Sequence, residues 1–120
     1  MIKAYWIFNR SVQMSIPKMI IQACHGTDLI HEHRHLIRDY RNWSCKHRRK
    51  IFLIAQNDEI FNKIIDKLKE KEIIFFKIFD MGFTEFFQMT CTGIVIAPID
   101  EEKIPGIVKH LPTIKDRDFI

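Results

Sequence analysis

An α/β fold with a sheet covered on both faces is what this sequence predicts, from three observations. Apolar runs of strand length alternate with stretches of helical rhythm. IFLIA, residues 51 to 55, is a short continuous apolar run of the kind found in strands buried on both sides. After the second helical stretch, two further strand-like runs follow with only a polar turn between them. The order is βαβαββα, which implies right-handed crossovers. A chain of 120 residues is long enough for one domain, residues 1–120, with a real core.

KAYWIF (3–8) reads as a buried first strand, followed by a polar loop from Asn9 to Ser15. Ser15 is placed to cap a long helix and Pro17 suits its first turn. Ile20, Ala23, Cys24, Thr27 and Ile30 keep a helical rhythm, so the helix is expected to continue to about Tyr40, with Gly26 marking a close packing contact. IFLIA is the second strand. Asn57 caps the next helix, whose stripe of Ile60, Phe61, Ile64, Ile65 and Leu68 faces a core, and KLKEKE closes it. IIFFKIF (73–79) and CTGIVIA (91–97) are strands three and four, the latter ended by Pro98. Pro105 and Gly106 restrict the last helix to a short piece near Ile104 to His110, and Pro112 releases a charged tail.

The chain is 47% hydrophobic, but no apolar run approaches the roughly 20 residues of a membrane span. MIKAYWIFN lacks the pattern of a secretory leader, so a cytoplasmic protein with no membrane partner is expected. Cys24, Cys45 and Cys91 lack metal-site spacing and fit reduced thiols, two in the core and Cys45 in a basic loop. The net charge of +4 is uneven: residues 34 to 50 hold seven Lys/Arg against only Asp39. Such concentration suits a polyanion, with Arg38, Arg41, Lys46, Arg48, Arg49 and Lys50 as candidate phosphate contacts.

HEHRH (31–35) has the His-Glu-x-x-His spelling of a zinc hydrolase, and on a continuous helix its two outer histidines lie one turn apart. No third ligand stands at a suitable offset, and the surrounding RHLIRDYR repels a dication. A solvent-facing or RNA-facing histidine cluster is the simpler expectation, with no metal and no cofactor.

Two other stretches place chemistry better. In MSIPKMIIQACHGT (14–27), Lys18, Gln22 and His25 share one helical face near a helix N-terminus, where free N–H groups favour an anion or a developing oxyanion. In DMGFTEFFQMTCTG (80–93), Asp80 ends a strand, Gly82 makes the turn, Thr84 follows, and Thr90 and Thr92 open the returning strand. Ligands of open α/β sheets gather at such strand ends, and a carboxylate beside hydroxyls and a lysine suits ester hydrolysis.

Together these stretches resemble the type II peptidyl-tRNA hydrolases, the archaeal and eukaryotic kind. MSIPKMIIQACH is similar to their signature segment, and Trp43, DMGFT, TCTG, Pro98 and His110-Leu111 fall in family order. The resemblance implies a three-layer α/β/α domain with a four-stranded mixed sheet, order 2-1-4-3 and strand four antiparallel. It also implies metal-free cleavage of the ester between a peptide and the 3′ ribose of tRNA, with tRNA as partner and a homodimer left open. The family's functional residues correspond to Lys18, Asp80, Thr84 and Thr92, supported by Gln22, His25, Gly82 and Thr90.

The chain departs from the family around this site. Phe83 stands where a basic residue is usual, Glu85 for Gln, Gln88-Met89 for Pro-Gly, Asn9-Arg10-Ser11 for Arg-Thr-Asp, and Ser-Ile-Pro for Gly and Lys before Lys18. The rivals to a hydrolase are an RNA- or protein-binding module on the same fold and an esterase for another acylated RNA. A catalytic site should gather Lys18, Asp80 and Thr92, whereas a binding module could leave the cleft blocked by Phe83 or Met89.

Overall fold

The computed structural model describes residues 1–83 and 85–120. Strands β1 (Ile2–Asn9), β2 (Lys50–Ala55), β3 (Phe75–Asp80) and β4 (Thr90–Asp100) form one sheet in the order β2-β1-β4-β3. β2 is parallel to β1, and β4 is antiparallel to both β1 and β3. Helices α1 (Ile16–Glu32) and α2 (Tyr40–Ser44) lie on one face of the sheet. On the other face lie α3 (Asp58–Glu70) and the short α4 (Gly106–Lys109).

The three layers follow from strand alternation, which sends successive side chains to opposite faces. Tyr5, Ile7, Leu53, Ala55, Ile94 and Ile96 pack against Phe61, Ile64, Ile65 and Leu68 of α3, with Ile104 and Val108. Ala4, Trp6, Phe8, Ile54, Ile78, Val95 and Ala97 point the other way, onto Met14, Ile30, Ile37 and Trp43.

The rhythm of α1 differs from the expected one. Its buried residues are Lys18, Gln22, Gly26 and Ile30, a stripe at four-residue spacing, while Ile20 and Ile21 are exposed. The polar groups therefore face the sheet, and two isoleucines that hydrophobicity would send inward face water. Gly26 is the reason the helix sits so close. A Cβ there would lie 2.3 Å from Trp6 Nε1 and 3.1 Å from Ile78 Cδ1, and Trp6 Nε1 donates to the Ala23 carbonyl at 3.0 Å.

The caps at Ser15 and Asn57 form as expected, each side-chain oxygen accepting a backbone N–H three residues on. The long first helix does not reach Tyr40. α1 stops at Glu32, Arg34–Leu36 make a 3-10 turn, and α2 begins at Tyr40. β4 also runs through Pro98 to Asp100 instead of ending there. The pairing with β1 shifts between Lys3 and Tyr5, so the proline sits at a bulge, where its missing N–H costs the ladder nothing.

The tail is not released either. Thr113 bridges Leu53, Ile54 donates to the Pro112 carbonyl, and Ile114 donates to Phe52, so this segment flanks the outer edge of β2. Cys24 is exposed and Cys91 half-buried, so the expected pair of core thiols is not found. No helix among the described residues is long and apolar enough to cross a membrane.

Gly26→Ala should test the helix–sheet contact. Alanine is the better helix former by about 1 kcal/mol, yet the clash with Trp6 should reverse the sign and destabilise by about 1–3 kcal/mol. Urea unfolding of the variant measures it, and an unchanged or raised midpoint would contradict the close approach.

Candidate active site

Asp80 ends β3 and Lys18 lies in the first turn of α1, and the two meet where the helix start crosses the strand end. Lys18 Nζ donates to Asp80 Oδ2 at 2.8 Å, with both side chains buried. Asp80 Oδ1 accepts the Gly82 N–H at 3.0 Å. Gly82 has φ +84, and a Cβ there would lie 2.5 Å from the Gln88 backbone, so only glycine turns the chain back onto the carboxylate. Burial by itself raises the Asp80 pKa. The Lys18 and Gly82 hydrogen bonds and the charges of Lys18 and His25 outweigh it, and the carboxyl is held below its ordinary value.

Thr92 reaches the same face through a bulge. Simple alternation would put it on the side of Ile94, toward α3. The register instead passes from Ile78↔Gly93 to Phe79↔Cys91, and this one-residue slip turns Thr92 to α1. Its hydroxyl donates to Gln22 Oε1 at 2.8 Å, lies 3.3 Å from the Ile78 carbonyl, and has no exposed surface. The next residue, Gly93, lets β4 close on β1, since a Cβ there would lie 2.5 Å from the Ile7 carbonyl oxygen.

The structure thus gathers Lys18, Asp80, Gly82, Gln22 and Thr92, but as a trio (Lys18, Asp80 and Gly82) and a separate pair (Gln22 and Thr92). Thr92, expected to donate to substrate, is occupied in seating α1 on the sheet. His25 is exposed on α1 and acts on Asp80 through its charge. Thr90 pairs with Asp80 in the ladder, but its hydroxyl donates to the Gln88 carbonyl at 2.8 Å and so secures the turn. Thr84 lies outside the described residues.

Two contacts were not foreseen. Phe86 packs against the α1-side core and lies over Lys18 Nζ, 5.8 Å from the ring centroid, so a phenyl ring roofs the ion pair. Glu85 accepts from both the backbone N–H and the hydroxyl of Ser15, the cap of α1. Its carboxylate sits where the helix dipole favours negative charge, and it fastens the loop to the helix start. A serine ahead of Pro17 signals a cap, but not this latch to a loop seventy residues further along the chain. Phe83 and Met89 are both exposed.

The family described as peptidyl-tRNA hydrolase PTH2 matches residues 2–114. The chain belongs to that family. It is also similar to a protein of Dictyostelium discoideum described as probable peptidyl-tRNA hydrolase 2, at 24% identity over 114 residues. That match covers 91% of this chain and 53% of the relative, so the chain spans about half the length of the curated protein it matches.

The chain's basic segment and the ion pair lie at opposite ends of the sheet. Arg38, Arg41, Lys46, Arg48, Arg49 and Lys50 are all exposed, and no ion pair among the described residues engages them. Lys50 pairs with Ala4 near the start of β1, whereas Asp80 lies beyond the level of Phe8. HEHRH belongs to the basic end. Because α1 stops at Glu32, His31 and His35 do not share a helical face. His31 bonds Tyr40 and packs beside Trp43, and His33 bonds the Leu29 carbonyl and stacks on Phe76. These two histidines pack within the fold, contrary to the expected solvent-facing cluster. Among the described residues, no three His, Cys, Asp or Glu gather as a metal site.

Lys18→Met should cost about 3–5 kcal/mol of stability, because it strands a buried carboxylate, and adding Asp80→Leu should recover part of that loss. A double-mutant cycle in urea checks this; additive losses would deny the coupling. Acid titration gives a second check. Asp80 takes up its proton at lower pH folded than unfolded, so its stabilisation is complete above its ordinary value of 3.8 and is lost as pH falls through the depressed one. Asp80→Asn should flatten that part of the stability curve.

Proposed function

We propose that residues 1–120 act as one peptidyl-tRNA hydrolase domain. It would cleave the ester between a peptide, or an N-blocked amino acid, and the 3′ ribose of tRNA, without a metal and in the cytoplasm. The observation that carries this reading is the buried, hydrogen-bonded Lys18–Asp80 pair at the strand ends of a chain that belongs to this family.

The pair suits water attack on an ester. Asp80 is ionised at neutral pH, and two of its lone pairs are taken by Lys18 and Gly82. The remaining ones can hold a water and orient its oxygen toward the ester carbon. A carboxylate with a depressed pKa is a weak base, so its work is to position the water and to stabilise the positive charge that water gains on attack. Lys18 carries the complementary charge, close enough to favour the oxyanion that forms as the carbonyl opens. Breakdown of that intermediate returns the 3′ oxygen of the ribose as leaving group and frees the peptide acid.

Gln22 and Thr92 position Lys18 by holding α1 in place, and His25 keeps Asp80 charged. Phe86 excludes bulk water from the pair, which strengthens its field and requires the ring to shift as substrate enters. The six exposed cations would take tRNA phosphates. His31 is 13 residues beyond Lys18, about 20 Å along α1 at 1.5 Å per residue, so these contacts fall well away from the cleaved bond.

The test is release of labelled peptide from an N-blocked aminoacyl-tRNA with chelator present throughout. Wild type should cleave, and Asp80→Asn and Lys18→Met should each lose at least about 100-fold per folded molecule. Loss of cleavage in chelator would overturn the metal-free assignment. Failure of wild type to cleave under any condition, with tRNA binding intact, would favour a binding module on this fold. Changing Arg48, Arg49 and Lys50 together to Gln should lower affinity for tRNA and reduce the slope of log affinity against log salt by about two to three; an unchanged slope would move the phosphate contacts elsewhere.

A further inference from the structure

We propose that Phe83 and Phe87 form a stacking platform for the unpaired bases at the 3′ end of tRNA, beside the Lys18–Asp80 pair. This rests on the tRNA-ester reading above and names how its substrate is held.

Both rings are displayed to solvent. Phe83 is 87% and Phe87 106% exposed, and Met81 and Met89 beside them are 60% and 59% exposed. Apolar surface gathered in this way marks a contact site. Phe86, from the same segment, behaves differently and packs over Lys18. The segment is also anchored: Gly82 ties it to Asp80, and Glu85 ties it to the cap of α1. The two free rings therefore project from a held loop at the rim of the ion pair.

The chemistry of the occupant follows from charge. Residues 78 to 91 contain no Lys or Arg, while Asp80 and Glu85 are acidic. Lys18 is engaged with Asp80. A phosphate backbone thus finds no cation on this loop, and the exposed cations of residues 38–50 lie at the other end of the sheet. Proteins hold single strands with two devices, cations along the backbone and aromatic faces under the bases. Here the cluster of cations at residues 38–50 and the aromatic faces are separated in space, and the cations closer to the loop are Lys77 and His25, which line a pocket with Met81. Paired bases are already stacked within their helix, so only unpaired nucleotides can use the rings. The ester to be cleaved sits on the last such nucleotide, and the rings flank the groups assigned to cleave it.

Deacylated, fluorescently labelled tRNA, intact or trimmed of its unpaired 3′ nucleotides, is titrated with wild type and with Phe83→Ala/Phe87→Ala at several salt concentrations. The double variant should bind intact tRNA at least about 10-fold more weakly, with the same salt slope, and should bind trimmed tRNA as wild type does. Phe87→Trp provides a direct signature: Trp6 and Trp43 are buried, so quenching of the new indole by the short RNA ACCA reports a base on the ring. Equal wild-type affinity for intact and trimmed tRNA, or unchanged affinity of the double variant for intact tRNA, overturns the platform and leaves the hydrolase reading standing. Absence of tRNA binding by wild type overturns both. A double variant that converts a dimer to monomer with tRNA binding unchanged would assign the rings to a second copy of the chain. One that raises KM only for substrates with large apolar acyl groups would assign them to the peptide. Either result overturns the proposal.

Discussion

The buried contact between Lys18 and Asp80 constrains everything near it. Removing two charges from water is costly, and the cost is offset only when the partners meet in good geometry with their remaining valences satisfied. A cation in the first turn of a helix also opposes the helix dipole. Lys18 is therefore poorly placed for its own helix and well placed for Asp80. The stripe of Lys18, Gln22, Gly26 and Ile30 meets this demand step by step. Ile30 packs in the core, Gly26 admits the edge of Trp6, Gln22 takes the Thr92 hydroxyl, and Lys18 reaches the carboxylate. The helix is apolar in its seating at one end and ionic at the other, so its closest approach and its chemistry are set by one face.

Charge and aromatic surface are divided between the two ends of the sheet. One end carries exposed arginines and lysines around Trp43, where Lys50 Nζ also lies 5.3 Å over the indole ring. The other end has the carboxylate, a glycine turn and a loop of phenylalanines without a cation. Under the proposed function, a long polyanion with one reactive terminus would match that division, its phosphates held far from the ester at its end. Next to Asp80 the direct partner is Lys18, with the charge of His25 adding to its field.

Much of the fold was legible because period and capping are local signals. The four strands, the α3 stripe and the caps at Ser15 and Asn57 each appear within a few residues of chain. The errors have specific physical causes. The face of α1 differs from the expected one because hydrophobicity sends Ile20 inward, whereas the buried partners of Lys18 and Gln22 are Asp80 and Thr92, more than sixty positions away. The helix end at Glu32 was hidden because no proline or glycine marks it. Pro98 looks like a stop along the chain, since a proline inside a strand is costly unless a bulge across the ladder removes the need for its N–H.

By itself the sequence determined the alternation of strands and helices and the resemblance to the family, and it singled out Lys18, Asp80, Gly82 and Thr92 as candidates for one site. Those follow from residue type and spacing, which are properties of the chain read along its length. Tertiary structure decided what each of them touches. A bulge between β3 and β4 turned Thr92 from one face of the sheet to the other, Phe86 closed over the pair, and Glu85 bound the loop to the cap of α1. It also placed the basic segment at the far end of the sheet and packed His31 and His33 of HEHRH within the fold. These outcomes depend on register and on contacts between distant segments, where a shift of one residue reverses a face, and no local pattern records such a shift.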